Sequence, residues 1–125
     1  MRVEYVHDGA RKTPLLRFFN FTRADLADLV AAFSSLGSPG AVAVRLAPGE
    51  FLTGMNLKTL NARPSARDHG VVPLEHDTFD WVLTPQSWRA VADRARSIRL
   101  GRSSSFQWLD QSSSIGVLLS HSDDW

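Results

Sequence analysis

The chain has 125 residues, of which 43% are hydrophobic and 22% charged, as in an ordinary globular domain that folds around one core. Lysine and arginine number 14 and aspartate and glutamate 13, so a net charge of +1 provides no overall field towards nucleic acid or a membrane surface. The chain has no cysteine, which excludes disulfides, thiolate metal sites and thiol catalysis.

No segment has the pattern of a secretory signal or a membrane span. Residues 1–8 carry charges throughout, where a secretory signal needs an uninterrupted apolar run. The apolar stretch 26–33 is interrupted by Asp28 and is far shorter than the roughly 20 residues that cross a bilayer. We therefore expect a cytoplasmic protein in which residues 1–125 form a single domain.

The first predicted elements are two strands and a helix. Residues 3–6 fit a strand, and residues 15–21 fit a central one because apolar side chains occupy both alternating faces. Thr22, with Asp25 three positions later, predicts the N-terminus of a helix, and Gly37 predicts its end. Its apolar stripe is Leu26, Leu29, Val30 and Phe33.

Residues 41–70 have a less regular apolar pattern than the segments around them. Residues 41–46 alternate as a half-buried strand does. A structureless loop over 47–70 would be unusual in so small a domain, and the alternation at 55–59 fits a short strand. The polar residues of 61–68 are typical of an exposed loop.

A second helix is predicted after a strand at 79–83. Thr84 caps it, Pro85 occupies its first position, and it ends near Gly101. Its apolar stripe is Trp88, Val91, Ala92, Ala95 and Ile98. The side chains of Arg89, Asp93 and Arg96 are expected in solvent.

Two apolar runs at 106–109 and 115–120, joined by five polar residues, predict a C-terminal hairpin. The fold class is therefore α+β: a mostly antiparallel sheet of about five to seven strands with two amphipathic helices packed on it. Trp81 and Trp88 are in phase with apolar neighbours, and we expect both in the core.

Charge is unevenly distributed along the chain. The second helix and its end carry Arg89, Arg94, Arg96, Arg99 and Arg102. Residues 68–80 and 103–125 contain acidic residues and no lysine or arginine. Either these regions neutralise one another on the fold, or the acidic segments form a patch for a basic partner.

A group of histidines and carboxylates between residues 68 and 80 suggests an alternative. A small metal-dependent or acid/base enzyme could use His69, His76, Asp77 and Asp80. However, the two histidines have neither the i, i+4 spacing of a helical zinc site nor the spacing of a pair on one strand face. Surface histidines are the competing interpretation.

Residues 79–125 contain the helix start Thr84-Pro85-Gln86-Ser87-Trp88, the run Phe106-Gln107-Trp108-Leu109 and the ending Ser120-His121-Ser122-Asp123-Asp124-Trp125. This layout resembles small bacterial immunity proteins of polymorphic toxin systems. The resemblance implies a cytosolic single-domain binder that neutralises one cognate toxin by covering its active surface, through shape and complementary charge.

The sequence thus favours a non-enzymatic protein-binding domain that needs no cofactor and binds neither nucleic acid nor membrane. Trp125 is either docked structure or an exposed contact. A homo-oligomeric structural subunit, whose sheet edge or apolar surface pairs with itself, is a further alternative. The predicted partner-binding residues are Asp77, Asp80, Trp108, Asp110, Asp123, Asp124 and Trp125.

Overall fold

The computed structural model describes residues 1–9, 13–98 and 106–121, and these residues contain two helices and nine strands. The elements in chain order are β1 (Arg2–Val6), β2 (Leu15–Phe19), α1 (Arg23–Leu36), β3 (Val44–Ala47), β4 (Thr53–Gly54), β5 (Thr59–Pro64), β6 (Gly70–Pro73), β7 (Thr78–Leu83), α2 (Pro85–Arg96), β8 (Phe106–Asp110) and β9 (Gly116–Ser120). The predicted α+β class is confirmed.

The strands form two sheets, one of five strands in the order β4-β1-β2-β9-β8 and one of four in the order β3-β5-β7-β6. Among the described strands, β1 with β4, β2 with β9 and β5 with β7 pair in parallel. The other four pairings are antiparallel. The predicted mostly antiparallel single sheet is thus only partly correct.

Both helices stand at points where the chain passes from one sheet to the other. In chain order α1 leads from β2 in the five-stranded sheet to β3 in the four-stranded sheet, and α2 leads back from β7 to β8. Each helix is therefore a connection between sheets. The central position of β2 is confirmed, because all five of its residues are buried and it lies third in its sheet.

The predicted exposed loop at 61–68 is wrong for residues 61–64, whereas residues 65–68 lie between β5 and β6 as a loop. Residues Thr59–Pro64 form β5, an interior strand of the four-stranded sheet. Leu60 and Ala62 are fully buried and alternate with the more exposed Asn61 and Arg63, which is the period of a strand with one covered face. The expected strand at 41–46 begins later, at Val44, and Val42 is 76% exposed.

Local capping chemistry defines the helices. Thr22 Oγ1 accepts a 3.1 Å hydrogen bond from the N–H of Asp25, whose carboxylate accepts one of 3.0 Å from the N–H of Thr22. The predicted capping box of α1 and its end at Gly37 are confirmed. Thr84 likewise caps α2, which ends at Arg96; Gly101, its predicted end, lies outside the described residues.

Arg89 and Arg96 are exposed, as expected, and both also donate hydrogen bonds from α2 to the end of α1. Arg89 Nη1 donates a 2.6 Å hydrogen bond to the carbonyl oxygen of Gly37, at the end of α1. Arg96 Nη2 donates one of 2.9 Å to Ser34 Oγ. The Arg89 bond supplies a partner for a carbonyl group at the end of α1, where the final carbonyl groups have no partner within the helix.

An aromatic cluster forms the centre of the core. The rings of Trp81 and Trp88 lie 4.8 Å apart, and Phe33 of α1 contacts both, at 5.4 and 5.8 Å. Phe18 of the five-stranded sheet lies 6.3 Å from Trp81. Both tryptophans are fully buried, which confirms their predicted core positions.

Neither α1 nor α2, the helices of the described residues, is long and apolar enough to cross a membrane.

Candidate functional site

The structure separates the predicted contact residues into different places. Asp77 and Asp80 lie on the hairpin formed by β6 and β7, whereas Trp108 and Asp110 lie on β8 in the other sheet. The remaining three lie outside the described residues: Asp123, Asp124 and Trp125. The four described residues do not form one contact surface.

Asp110 was predicted to bind a partner, but in the structure it is a core residue. It is only 6% exposed. Its Oδ2 accepts a 2.8 Å hydrogen bond from the indole Nε1 of Trp81, and its Oδ1 accepts one of 2.9 Å from the N–H of Ser112. Because a buried carboxylate needs such partners, its role is to satisfy groups within the chain.

Trp108 is half-buried and rests on its own sheet. It pairs with Leu118 on β9, and its ring lies against Gly116 so closely that a side chain there would approach Trp108 Cζ3 to 2.9 Å. Much of this indole therefore covers the neighbouring strand, which leaves only part of it for a partner.

The β6–β7 hairpin is closed by a tight turn. The N–H of Leu74 donates a 2.7 Å hydrogen bond to the carbonyl oxygen of Thr78, and the turn contains His76 and Asp77 with φ of 59° and 55°. Asp77 is also anchored through its carbonyl oxygen, which accepts a 2.8 Å bond from the N–H of Lys58. The backbone of the hairpin is thus held at several points.

The outer face of the hairpin presents apolar and acidic side chains together. Phe79, Trp81 and Leu83 of β7 are buried on the inner face, so the intervening Asp80 lies on the outer face, opposite Val72 of β6. Val72 is 36% exposed and Leu74 48%. We call the following set the hairpin patch: Val72, Leu74, Glu75, Asp77 and Asp80.

The charges of the hairpin patch are only partly neutralised within the chain. Asp80 lies 3.7 Å from the guanidinium of Arg63 and accepts a 3.5 Å hydrogen bond from Asn61. The Glu75 side chain is 94% exposed, and its carboxylate lies 4.0 Å from Nε2 of His76. No ion pair of Asp77 occurs within the part of the chain that the structure describes.

The residues of the alternative enzyme site are not brought together. His69 precedes β6 and His76 lies in the turn after it, so the four residues of that strand separate them by roughly 13 Å or more. Across residues 1–9, 13–98 and 106–121, no group of three or more histidines and carboxylates is arranged to hold a metal ion.

Asp68, which belongs to the same stretch of sequence, serves the start of α2. Its carboxylate accepts hydrogen bonds of 2.7 Å from the N–H of Thr84 and 2.9 Å from Ser87 Oγ. The pKa of Asp68 is lowered, chiefly by the Thr84 hydrogen bond, while partial burial acts in the opposite direction.

A groove of about 590 Å³ between α2 and β8 has no counterpart in the sequence predictions. Four separate segments form it: the approach to β6, the end of β7, one face of α2, and β8 with the turn that follows it. Sequence reasoning missed it because no motif links these segments. Its lining residues are Asp68, Leu83, Ser87, Ala90, Val91, Arg94, Gln107, Trp108, Leu109, Asp110, Gln111 and Ser112.

Comparisons with protein-family models, with curated proteins and with solved structures found no match for this chain. The functional interpretation therefore rests on the geometry of the hairpin patch and of the groove.

Proposed function

We propose that this chain is a non-enzymatic protein-binding domain that contacts a basic protein partner through the hairpin patch. The observation that supports this proposal is that two exposed apolar side chains, Val72 on β6 and Leu74 at the start of the turn, lie two positions apart on a hydrogen-bonded hairpin that also carries carboxylates. Single exposed apolar residues are ordinary, but neighbouring ones with a charged rim are typical of interfaces.

The charge of the patch indicates the chemistry of the partner. Glu75 and Asp77 stand at the tip of the hairpin, and no lysine or arginine occurs between residues 68 and 80. Such a surface attracts lysine and arginine side chains and repels acidic ones, which favours a basic partner and accelerates encounter with it.

Side chains, and not the edge of the sheet, are expected to make the contact. β6 is the outermost strand of the four-stranded sheet, and its Pro73 has no N–H to offer to an added strand. Proline on an edge strand disfavours extension of a sheet by another chain. This argues for contact through the outer face, and against self-association at this edge.

The resemblance of residues 79–125 to immunity proteins supports a toxin as the partner. In that case the hairpin patch would cover basic residues that the toxin needs for its activity. Neutralisation would require tight binding and no chemistry by this chain.

Affinity purification from the source cell, with the wild-type chain and two matched variants, tests the proposal. Leu74→Lys changes the hairpin patch, and Val42→Lys changes an exposed apolar residue elsewhere. Both substitutions should alter the free energy of unfolding by no more than about 0.5 kcal/mol, since both sites are exposed. We expect a basic protein at near-stoichiometric level with wild type and with Val42→Lys.

The amount of this partner retained by the Leu74→Lys variant should be lower than with wild type by a factor of about ten or more. Raised salt should weaken the wild-type complex. Recovery of the wild-type chain alone would contradict the proposal. Equal retention by the two variants would show that the contact surface lies elsewhere.

A further inference from the structure

The groove between α2 and β8 carries opposite charges at its two ends. Asp68 lies beside Ser87 in the first turn of α2, and Arg94 lies seven residues further along the same helix. At 1.5 Å per residue the backbones of Ser87 and Arg94 are about 10 Å apart along the helix axis. Ser87, Val91 and Arg94 are spaced so that they share one face of the helix, and that face lines the groove.

Both charges are positioned by hydrogen bonds, and neither forms an ion pair with an oppositely charged lysine, arginine or carboxylate among residues 1–9, 13–98 and 106–121, although His69 lies near enough to Asp68 to interact with it electrostatically. Arg94 Nη1 donates a 2.9 Å hydrogen bond to the carbonyl oxygen of Leu109, and no carboxylate of the described residues pairs with this guanidinium. The Asp68 carboxylate accepts two hydrogen bonds and has no ion pair with a described lysine or arginine. Arg96 on the same helix, in contrast, pairs with Asp93 at 2.7 Å.

The walls between these ends suit a small organic ligand. The half-buried Ala90 and Trp108 give the groove apolar surface, and Leu83, Val91 and Leu109 also line it but are almost fully buried. Gln111 and Ser112 lie on the rim and are exposed. The volume of about 590 Å³ falls within the range of about 300 to 1,000 Å³ that is usual for small-molecule sites.

We infer that this groove binds short peptides of about three residues with free termini, with the peptide ammonium at Asp68 and the peptide carboxylate at Arg94. An extended tripeptide spans about 10 Å, since each residue contributes about 3.3 to 3.6 Å. Arg94 uses one nitrogen for Leu109, and its remaining donors can meet a carboxylate. This site is separate from the hairpin patch and does not depend on it.

Titration of the wild-type protein with tri-alanine, followed by heteronuclear NMR, tests the inference. Tri-alanine should shift amide signals of α2 and β8, and either N-acetylation or C-terminal amidation should weaken binding by about tenfold. This comparison changes only the peptide, so it does not depend on the folding of a variant.

Two arginine variants then assign the carboxylate end. Arg94→Gln should weaken binding of tri-alanine by about tenfold and leave binding of its C-terminal amide unchanged. Arg96→Gln, on the same helix but outside the groove, should behave as wild type. Absence of any shift at about 10 mM tri-alanine, or equal binding of the doubly capped peptide, would overturn the inference.

Discussion

The indole Nε1 of Trp81 donates a 2.8 Å hydrogen bond to Asp110 Oδ2, and this buried contact joins the four-stranded sheet to the five-stranded one. Trp81 is fully buried and Asp110 is 6% exposed. An indole N–H can only donate, so it needs an acceptor in the core. Asp110 meets that need with one oxygen and holds the turn after β8 with the other.

Replacement of Asp110 by alanine should therefore destabilise the fold. The buried N–H of Trp81 would lose its acceptor, and we expect the free energy of unfolding to fall by about 2 to 3 kcal/mol. Asp110→Asn, which retains an acceptor oxygen, should lose less. Urea denaturation measures both, with Glu75→Ala, at a side chain that is 94% exposed, as a control expected within about 0.5 kcal/mol of wild type. Equal midpoints for Asp110→Ala and wild type would contradict the structural role.

Trp88 should contribute through its volume and its N–H. It is fully buried, stacks on Phe33, and donates a 3.1 Å hydrogen bond to the carbonyl oxygen of Arg63. Trp88→Ala should reduce the free energy of unfolding by about 3 to 5 kcal/mol. Trp88→Phe, which keeps most of the apolar surface, should cost less.

The control for Trp88 is Phe106→Ala, because Phe106 is 54% exposed. Its loss should change the free energy of unfolding far less than the loss of Trp88, as measured in the same denaturation experiment. A similar cost for both substitutions would mean that Trp88 is not a central core residue.

Those parts of the fold that depend on local chemistry could be predicted from the sequence. Thr22 and Thr84 cap their helices through hydrogen bonds to residues three positions away, so the signal is contained in a few neighbouring residues. The sequence did not predict β5 because its outer face carries the polar residues Asn61 and Arg63, and polar residues are also typical of loops. The burial of Leu60 depends on β7, which lies far along the chain.

The candidate site was predictable to a smaller extent. The acidic character of the hairpin tip follows directly from Glu75 and Asp77. The role of Asp110 could not be predicted, because its partner Trp81 lies 29 residues away. The groove likewise exists only once Asp68 and Arg94, from separate segments, are brought to the same face of the domain.

Acid should remove the stabilisation that Asp68 provides. Its pKa in the folded protein is lowered because the N–H of Thr84 and the hydroxyl of Ser87 bind the ionised carboxylate. In the unfolded chain an aspartate has a pKa of about 3.9. The stabilisation is therefore complete above that value and is lost as pH falls through the lower folded pKa.

Comparison of wild type with Asp68→Asn between about pH 6 and pH 2 measures this effect. The difference in free energy of unfolding should be largest near neutral pH and should shrink in acid. Ser87→Ala removes one donor and leaves Thr84 in place, so its pH dependence should be weaker than that of wild type. A difference between wild type and Asp68→Asn that stays constant with pH would contradict the carboxylate's role.

Gly70 should resist substitution for two separable reasons. Its φ of +72° disfavours any side chain, and an added Cβ would lie 2.5 Å from Ser113 Cβ in the turn between β8 and β9. Gly40 has a similar φ of +74°, and an added Cβ there would meet nothing within 4 Å. Gly40→Ala should therefore lower the free energy of unfolding only by the cost of the left-handed backbone, about 1 to 2 kcal/mol.

Gly70→Ala should lower the free energy of unfolding by about 1 to 3 kcal/mol more than Gly40→Ala does, because the turn must move. Ser113→Gly, added to Gly70→Ala, should restore only some of that further part, because it also removes the 3.2 Å hydrogen bond from Ser113 Oγ to the carbonyl oxygen of Ile115; urea denaturation of the three variants measures this. If both alanine variants unfold at the same urea concentration, the contact between β6 and this turn does not constrain the fold.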